Sequence, residues 1–526
     1  MPQMPPPRRR EGPAVPRRAP LTGALVATLL VALAVPAIGA RPVPPYAPGY
    51  PMLFPRPVEI RPRAGTLVAA DLDRDGRTEL VATIPAGLIT VIDAGVVRPG
   101  WPRRFTNLPS PAYPVGRPGV GDLDGDGIDE IVVCVSAGPW PRRAILMALG
   151  ADGRDLPGWP VEIPSGGAGG GCAAGATLVA DLDGDGRAEV ARALLGGALV
   201  LEGNGLPRSG WPWSVPHDGA WPARAINADP IAADVDGDGR SDLILVESGY
   251  QPRLFALDAG GRLLPHFPAT LAEVVDRQAP AAADLDDDGA AEMVQATLPY
   301  EAFEGMRQAP PHPIDLAPPE ALARVPHPIP VGGPAPVPVR AGTPPPAPEV
   351  PAALHLLRFD ASETPGWPLP LGAGAARGAQ VARLDGETLP TILQEDGDRL
   401  AGYDAAGFPR RGFPIELRNL PQRIDARQDS RWTVTDFDGD GRTDFLRALG
   451  FVAAGNAALR IVGLRPPGAP LRGFPISCDG LLPESDLVAA DLDGDGAQDL
   501  ALLVGEGTNG GWRLLVWSGE SRRSGP

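Results

Sequence analysis

The chain has 526 residues, 47 basic and 64 acidic, with a formal net charge of −17; lysine is absent, so every base is an arginine. Glycine and proline supply 67 residues each, yet 43% of the chain is hydrophobic and ten residues are tryptophan. A fold of many short strands and tight turns reconciles these facts. A negative chain without a basic stripe argues against nucleic acid as a partner. The lack of lysine excludes Schiff-base chemistry. Three cysteines (Cys134, Cys172, Cys478) can form at most one disulfide and lack the paired spacing of a zinc site.

From the N-terminus, Arg8, Arg9, Arg10, Arg17 and Arg18 precede an apolar run over 21–35 and the small residues Ala37-Ile38-Gly39-Ala40. That order is the signature of a secretory signal over residues 1–40, expected to be cleaved near Gly39 or Ala40, with an uncleaved anchor as the alternative. The run is shorter than the roughly 20 residues of a spanning helix, so no membrane span is expected after cleavage. Residues 41–52 read as a short linker. The expected destination is secreted, periplasmic or cell-surface.

Over 53–520 one acidic motif recurs: DLDRDGRTE from Asp71, DLDGDGIDE from Asp122, DLDGDGRAE from Asp181, DVDGDGRSD from Asp234, DLDDDGAAE from Asp284, DFDGDGRTD from Asp436 and DLDGDGAQD from Asp491. The first aspartates are 51, 59, 53, 50, 152 and 55 residues apart. A period near 50 marks a propeller, solenoid or array. The long step contains a tract over 310–351 with 16 prolines. It reads as an extended disordered insertion in the fifth unit. Without it, room for two units remains, and a decayed copy stands at Arg383-Leu384-Asp385-Gly386-Glu387. Eight units are expected, seven of them with the acidic motif.

A second marker, Gly-Trp/Phe-Pro, begins at Gly100, Gly158, Gly210, Gly366, Gly412 and Gly473, with His266-Phe267-Pro268 as a variant and Leu53-Phe54-Pro55 taken as the eighth copy. Each unit carries four short apolar or alternating segments separated by Gly, Pro and Asp, and none shows helical periodicity. The expected fold is therefore all-β: a β-propeller of eight four-stranded blades, with seven as the fallback. The last unit lacks a fourth strand, and the piece over 54–60 is expected to close that blade and remove its open edge. Residues 521–526 form a tail.

In each motif the acids at positions 1, 3, 5 and 9 converge if the loop curls, and glycine at position 6 permits the turn. These are Asp71, Asp73, Asp75 and Glu79; Asp122, Asp124, Asp126 and Glu130; Asp181, Asp183, Asp185 and Glu189; Asp234, Asp236, Asp238 and Asp242; Asp284, Asp286, Asp288 and Glu292; Asp436, Asp438, Asp440 and Asp444; and Asp491, Asp493, Asp495 and Asp499. Many hard anionic oxygens at flexible distances suit Ca²⁺ better than Mg²⁺, so about seven calcium sites are expected. Four such carboxylates without a cation repel by several kcal/mol at a surface-like dielectric. The apolar residue at position 2 (Leu72, Phe437) should anchor the loop. In the decayed unit Arg383 replaces the first aspartate, and its guanidinium is expected to substitute for the ion.

On these loops the chain resembles the FG-GAP/VCBS repeat family, whose calcium-loop blades also form the N-terminal propeller of integrin α chains. The resemblance covers roughly residues 50–520 and implies a calcium-stabilised propeller. Members include adhesion modules, lectin-like proteins and some polysaccharide lyases. The FG-GAP phrase itself is not evident here.

The face opposite the acidic loops offers Trp213, His217, Trp221 and Arg224 in one inter-blade loop and Arg427 and Arg431 in another. Aromatic faces stack on sugars and arginines pair with carboxylates, which suits an extracellular glycan or protein ligand. The tryptophans of the Gly-Trp-Pro turns (Trp101, Trp159, Trp211, Trp367) recur with the fold and read as structural. The expected function is a monomeric binding or adhesion module; the alternative is a secreted, lyase-like polysaccharide enzyme on the same scaffold, for which no catalytic residue is assigned.

Overall fold

In a computed structural model of the chain, the described residues are 46–54, 65–84, 87–139, 143–163, 172, 175–194, 196–216, 225–299, 351–372, 378–418, 420, 430–453, 456–506 and 511–519. The export signal, the tail and all but the last residue of the proline tract lie outside them. So do His217, Trp221, Arg224 and Arg427. Among the described residues there is no helix, and hence none long and apolar enough to cross a membrane.

The strands form eight separate antiparallel sheets, one per repeat unit. Blade 1 shows the plan: an inner strand Thr66–Ala70 enters the acidic loop, which returns as Glu79–Ile84, then Leu88–Asp93 and the short outer piece Arg103–Arg104. The inner strands of the other blades are Ala112–Gly121, Leu178–Ala180, Ile231–Ala233, Ala281–Ala283, Gln380–Ala382, Thr433–Thr435 and Val488–Ala490. The second strands are largely buried on both faces, with polar side chains such as Arg192, Gln295 and Arg447 buried among the apolar ones; Glu79–Ile84 is buried throughout, because each blade is covered by a neighbour on either side.

Eight hydrophobic clusters fill the eight blade–blade interfaces. Blade 1 meets blade 2 through Val81, Ile89 and Val91 against Ile131, Val133 and Met147. Blade 8 meets blade 1 through Leu503, Leu514 and Val516 against Leu80, Ile84 and Leu88, which closes the ring. Position 2 of each acidic loop is driven into the interface with the next blade, as expected; Leu72 and Val235 are fully buried there. Backbone bonds tie neighbouring loops as well: Ala188 N–H donates to Asp122 O and Ala291 N–H to Asp234 O, each at 2.7 Å.

Closure uses the N-terminal segment, with a shift from the sequence reading. The closing strand is Met52–Phe54, paired with Trp512–Trp517, one residue before the expected start of the propeller. The eighth marker is Gly49-Tyr50-Pro51, not Leu53-Phe54-Pro55. Ala47 N–H bonds Val516 O at 2.9 Å and Tyr50 N–H bonds Ala47 O at 3.1 Å, repeating the pair made by Arg98 and Trp101 in blade 1. Gly49 has φ +86, and a Cβ there would meet Gly95 O at 2.6 Å, just as one at Gly100 (φ +90) would strike Asp152 O. Glycine is obligatory at this close approach, and the aromatic after it is tyrosine, which a search for Trp or Phe passes over. Trp101, Trp159, Trp211 and Trp367 are structural: each indole N–H donates to a carbonyl in the next blade's turn, at 2.8–3.0 Å.

Cys134 and Cys172 form a disulfide and Cys478 is free and buried. In blade 5, His355 is buried and bonded to Glu273 (3.0 Å) and Glu363. Burial opposes its charge, but the two carboxylates outweigh this and push its pKa up to about 9. A histidine raised in the folded state stabilises the fold fully below its unfolded pKa near 6.5, and that contribution is lost as pH rises through about 9. Stability is therefore expected to fall by about 2–3 kcal/mol across that window. Denaturant titrations of the wild type and His355→Leu at pH 6 and 9.5 check this; equal pH slopes for the two would refute it.

Candidate metal loops and the channel mouth

Each acidic loop is built by its own carboxylates. The position 1 aspartate accepts backbone N–H groups across the turn, as Asp122 does from Gly125 (2.7 Å) and Gly127 (2.9 Å). The position 5 aspartate accepts the position 7 N–H, as Asp126 does from Ile128 at 2.8 Å. The position 9 acid is the first residue of the second strand and turns back under the loop to accept the position 2 N–H, at 2.8–3.1 Å in all seven copies. That buries it: Glu130 is 4% exposed and Asp444 fully buried.

Positions 1, 3 and 9 thereby converge. In Asp71/Asp73/Glu79, Asp122/Asp124/Glu130, Asp181/Asp183/Glu189, Asp234/Asp236/Asp242 and Asp284/Asp286/Glu292, one oxygen from each residue lies within 4.8 Å of the others. The loops from Asp436 and Asp491 make the same backbone bonds. Position 5 serves the turn rather than these triads. Desolvation, with the neighbouring aspartates adding to it against the bond from position 2, pushes Glu130, Asp242 and Glu292 up to about 7. Every donor in these triads is a carboxylate oxygen, a set that fits a hard divalent cation and not zinc or copper.

The loops differ in one respect that the motif does not encode. In blade 1, Arg98 reaches Asp73 (2.5 Å) and Glu79 (3.4 Å). In blade 3, Arg208 reaches Asp183 and Glu189 (3.1 Å). In blade 7, Arg465 pairs with Asp438, Asp440 and Asp444 at 2.9–3.0 Å.

The decayed blade 6 corrects an expectation. Arg383 stays exposed, and the guanidinium that comes in is Arg410, 3.6 Å from Glu387. Asp385 has turned to the next blade, accepting from Thr443 N–H and Oγ1. Position 9 is Thr391, whose hydroxyl donates to Glu387 at 3.0 Å. With the position 1 acid gone, no carboxylate gathers the N–H groups of this turn among the described residues, and the remaining acids find other donors.

At the other end of the inner strands lie two cavities of about 430 and 180 Å³ that share Arg431. The larger is lined by Arg117, within the inner strand Ala112–Gly121, and by Asp229, Arg431 and Asp486, each two residues before an inner strand, among others; the smaller adds Arg277, Gln380 and Trp432. Asp229 accepts Ala176 N–H and Asp486 accepts Arg431 N–H, so both acids are held by backbone, while Arg117, Arg277 and Arg431 are exposed. Trp213 is elsewhere: it sits on the outer strand of blade 3, edge-on to Phe255 with ring centroids 5.0 Å apart, and packs in the interface with blade 4. Arg117 and Arg277 are not among the candidates named from the sequence; Arg117 lies within Ala112–Gly121 and Arg277 four residues before Ala281–Ala283, so no shared sequence position links them to Arg431.

The sequence profile of the FG-GAP-like repeat matches residues 234–294, the loops of blades 4 and 5. With eight blades around it, the chain fits an FG-GAP repeat propeller. No curated protein matches the chain. Among solved structures, BBS1N, crystallised in complex with ARL6DN, is similar at 10% identity over 92% of this chain and 98% of that one, with a TM-score of 0.40. The Vibrio cholerae biofilm matrix protein Bap1 is similar at 13% identity over 87% of this chain and 77% of its own, with a TM-score of 0.34. The C-terminal domain of Pseudomonas aeruginosa PilY1 is similar at 12% identity, covering 75% and 82%, with a TM-score of 0.34.

Proposed function

We propose that this protein is an exported, calcium-stabilised propeller that binds an anionic glycan or protein ligand at the channel mouth opposite its metal loops. The carrying observation is the mouth itself: Arg117, Arg277 and Arg431 exposed around two cavities that share Arg431, whose acids are already partnered, Asp229 and Asp486 by backbone N–H groups and Glu395 by Arg447. Exposed guanidiniums beside capped carboxylates favour an incoming carboxylate or sulfate, held bidentately. The described lining holds no histidine or tyrosine that would act as acid or base, which favours binding over the polysaccharide-enzyme alternative. The Cys134–Cys172 disulfide suits the oxidising compartment that the N-terminal signal addresses.

Calcium is the cation the triads suit best, and the metal would contribute folding free energy, since an unfolded chain cannot assemble these triads. A single site at a thousandfold excess of calcium over its Kd adds about 4 kcal/mol, so several together should raise the thermal midpoint by well over 10 °C relative to excess chelator. An unmoved midpoint would remove the calcium claim. The ligand claim is tested separately, with immobilised acidic and neutral oligosaccharides and an acidic peptide. Salt-sensitive binding to acidic probes that Arg117→Ala/Arg431→Ala weakens at least tenfold is expected; equal binding to neutral probes, or none, would count against it.

A further inference from the structure

We infer that the seven complete acidic loops are of two kinds: in blades 1, 3 and 7 a protein guanidinium takes the place of the metal, and calcium is confined to blades 2, 4, 5 and 8. The inference rests on the calcium reading above and concerns which loops can take the ion.

Arg98 and Arg208 stand three residues before the marker aromatic, a place fixed by a backbone bond to the adjoining strand: Arg98 N–H to Val91 O and Arg208 N–H to Val200 O, both 3.0 Å. From there the side chain runs to the position 3 and position 9 carboxylates, two of the three groups of the triad. Arg208 is held further by Ala259 O (3.0 Å) and Glu202 (3.2 Å). Arg465 starts from the end of the third strand and reaches the acids at positions 3, 5 and 9 at once. A guanidinium bonded to these oxygens and a divalent ion ligated by them at 2.3–2.6 Å compete for the same lone pairs and repel each other.

In blades 2, 4, 5 and 8 the residue at the Arg98 position is Leu156, Leu264, Thr364 or Ala47, and none carries a charge. Blade 5 has an arginine at the Arg465 position, Arg358, but it donates to Ser362 Oγ at 3.0 Å instead of the loop acids. Arg74 comes within 3.6 Å of Asp122 in blade 2 from the exposed rim, over half exposed itself, and does not contact Asp124 or Glu130 among the described residues. Blade 6 has lost its triad yet keeps arginine at this place, with Arg410 beside Glu387. There the guanidinium serves a loop that has no metal triad to serve.

The test is calcium counted by elemental analysis on the full chain after dialysis against buffered calcium, paired with thermal unfolding in excess chelator. The wild type should hold four ions, R208M five and R98M/R208M/R465M seven. In chelator R208M should melt several degrees below the wild type, and calcium should close most of that gap. R208M is the fallback if the triple variant fails to fold. Seven ions on the wild type would overturn this inference while leaving the calcium reading intact. Four ions on both wild type and R208M, or an unchanged midpoint in chelator, would also overturn it. No calcium on any of these chains would sink the calcium reading and this inference together.

Discussion

A chain starting at residue 55 is expected to unfold at much lower denaturant than one starting at residue 41, with a loss of about 5 kcal/mol. Residues 46–54 supply the outer strand of blade 8, which pairs Met52, Leu53 and Phe54 with Leu514, Arg513 and Trp512. They also place Tyr46 against Trp517, ring centroids 5.6 Å apart, and pack Ala47, Tyr50, Met52 and Phe54 onto the cluster between blades 8 and 1. Full burial of one large apolar side chain is worth about 1.5–3 kcal/mol, and these four larger ones are only partly buried, which sets the total. Removal also bares the edge of Trp512–Trp517, so the shortened chain should self-associate. Denaturant melts with sedimentation velocity would read both effects. A peptide covering 46–54 should restore part of the loss in trans. An unchanged midpoint would mean that the ring is not closed through this strand.

The second large effect belongs to the joint between blades 6 and 7. Arg447 is fully buried and its Nη1 lies 2.6 Å from Glu395, itself 6% exposed. The guanidinium also donates to Ser430 O at 2.9 Å and lies over the Trp432 ring at 5.2 Å. Removing one partner of a buried ion pair costs about 3–5 kcal/mol, because the other charge stays in a poor solvent for it. Arg447→Ala should therefore destabilise by at least that much, since packing is lost as well. Glu395→Leu/Arg447→Met, which removes both charges and keeps the volume, should cost less than the single change. Arg143–Glu162 is the control: both side chains are about half exposed, and Arg143→Ala should stay within about 1 kcal/mol. A loss below 1 kcal/mol for Arg447→Ala would show that the pair does not hold the joint.

The repeat period, the seven loops and the interleaved marker were legible from residue types alone. They are local: a carboxylate that accepts N–H groups three to seven residues away, and a glycine that needs positive φ, act within one turn of chain. Alternation and turn chemistry likewise dictated four strands per unit, and the unpaired last unit called for the N-terminal segment. Three things were settled only by the ring. The closing strand and its Gly49-Tyr50-Pro51 marker are recognised by what they meet, Gly95 and Val516, which are distant in sequence. The mouth gathers Arg117, Arg277 and Arg431 from blades far apart in the chain, because inner strands converge on one axis. Whether a loop faces a leucine or an arginine depends on a side chain some 25 residues further on, as with Asp73 and Arg98, brought back by the pairing of the strands between them. The motif determined where acids cluster; the packing of each blade decided which clusters already contain a positive charge.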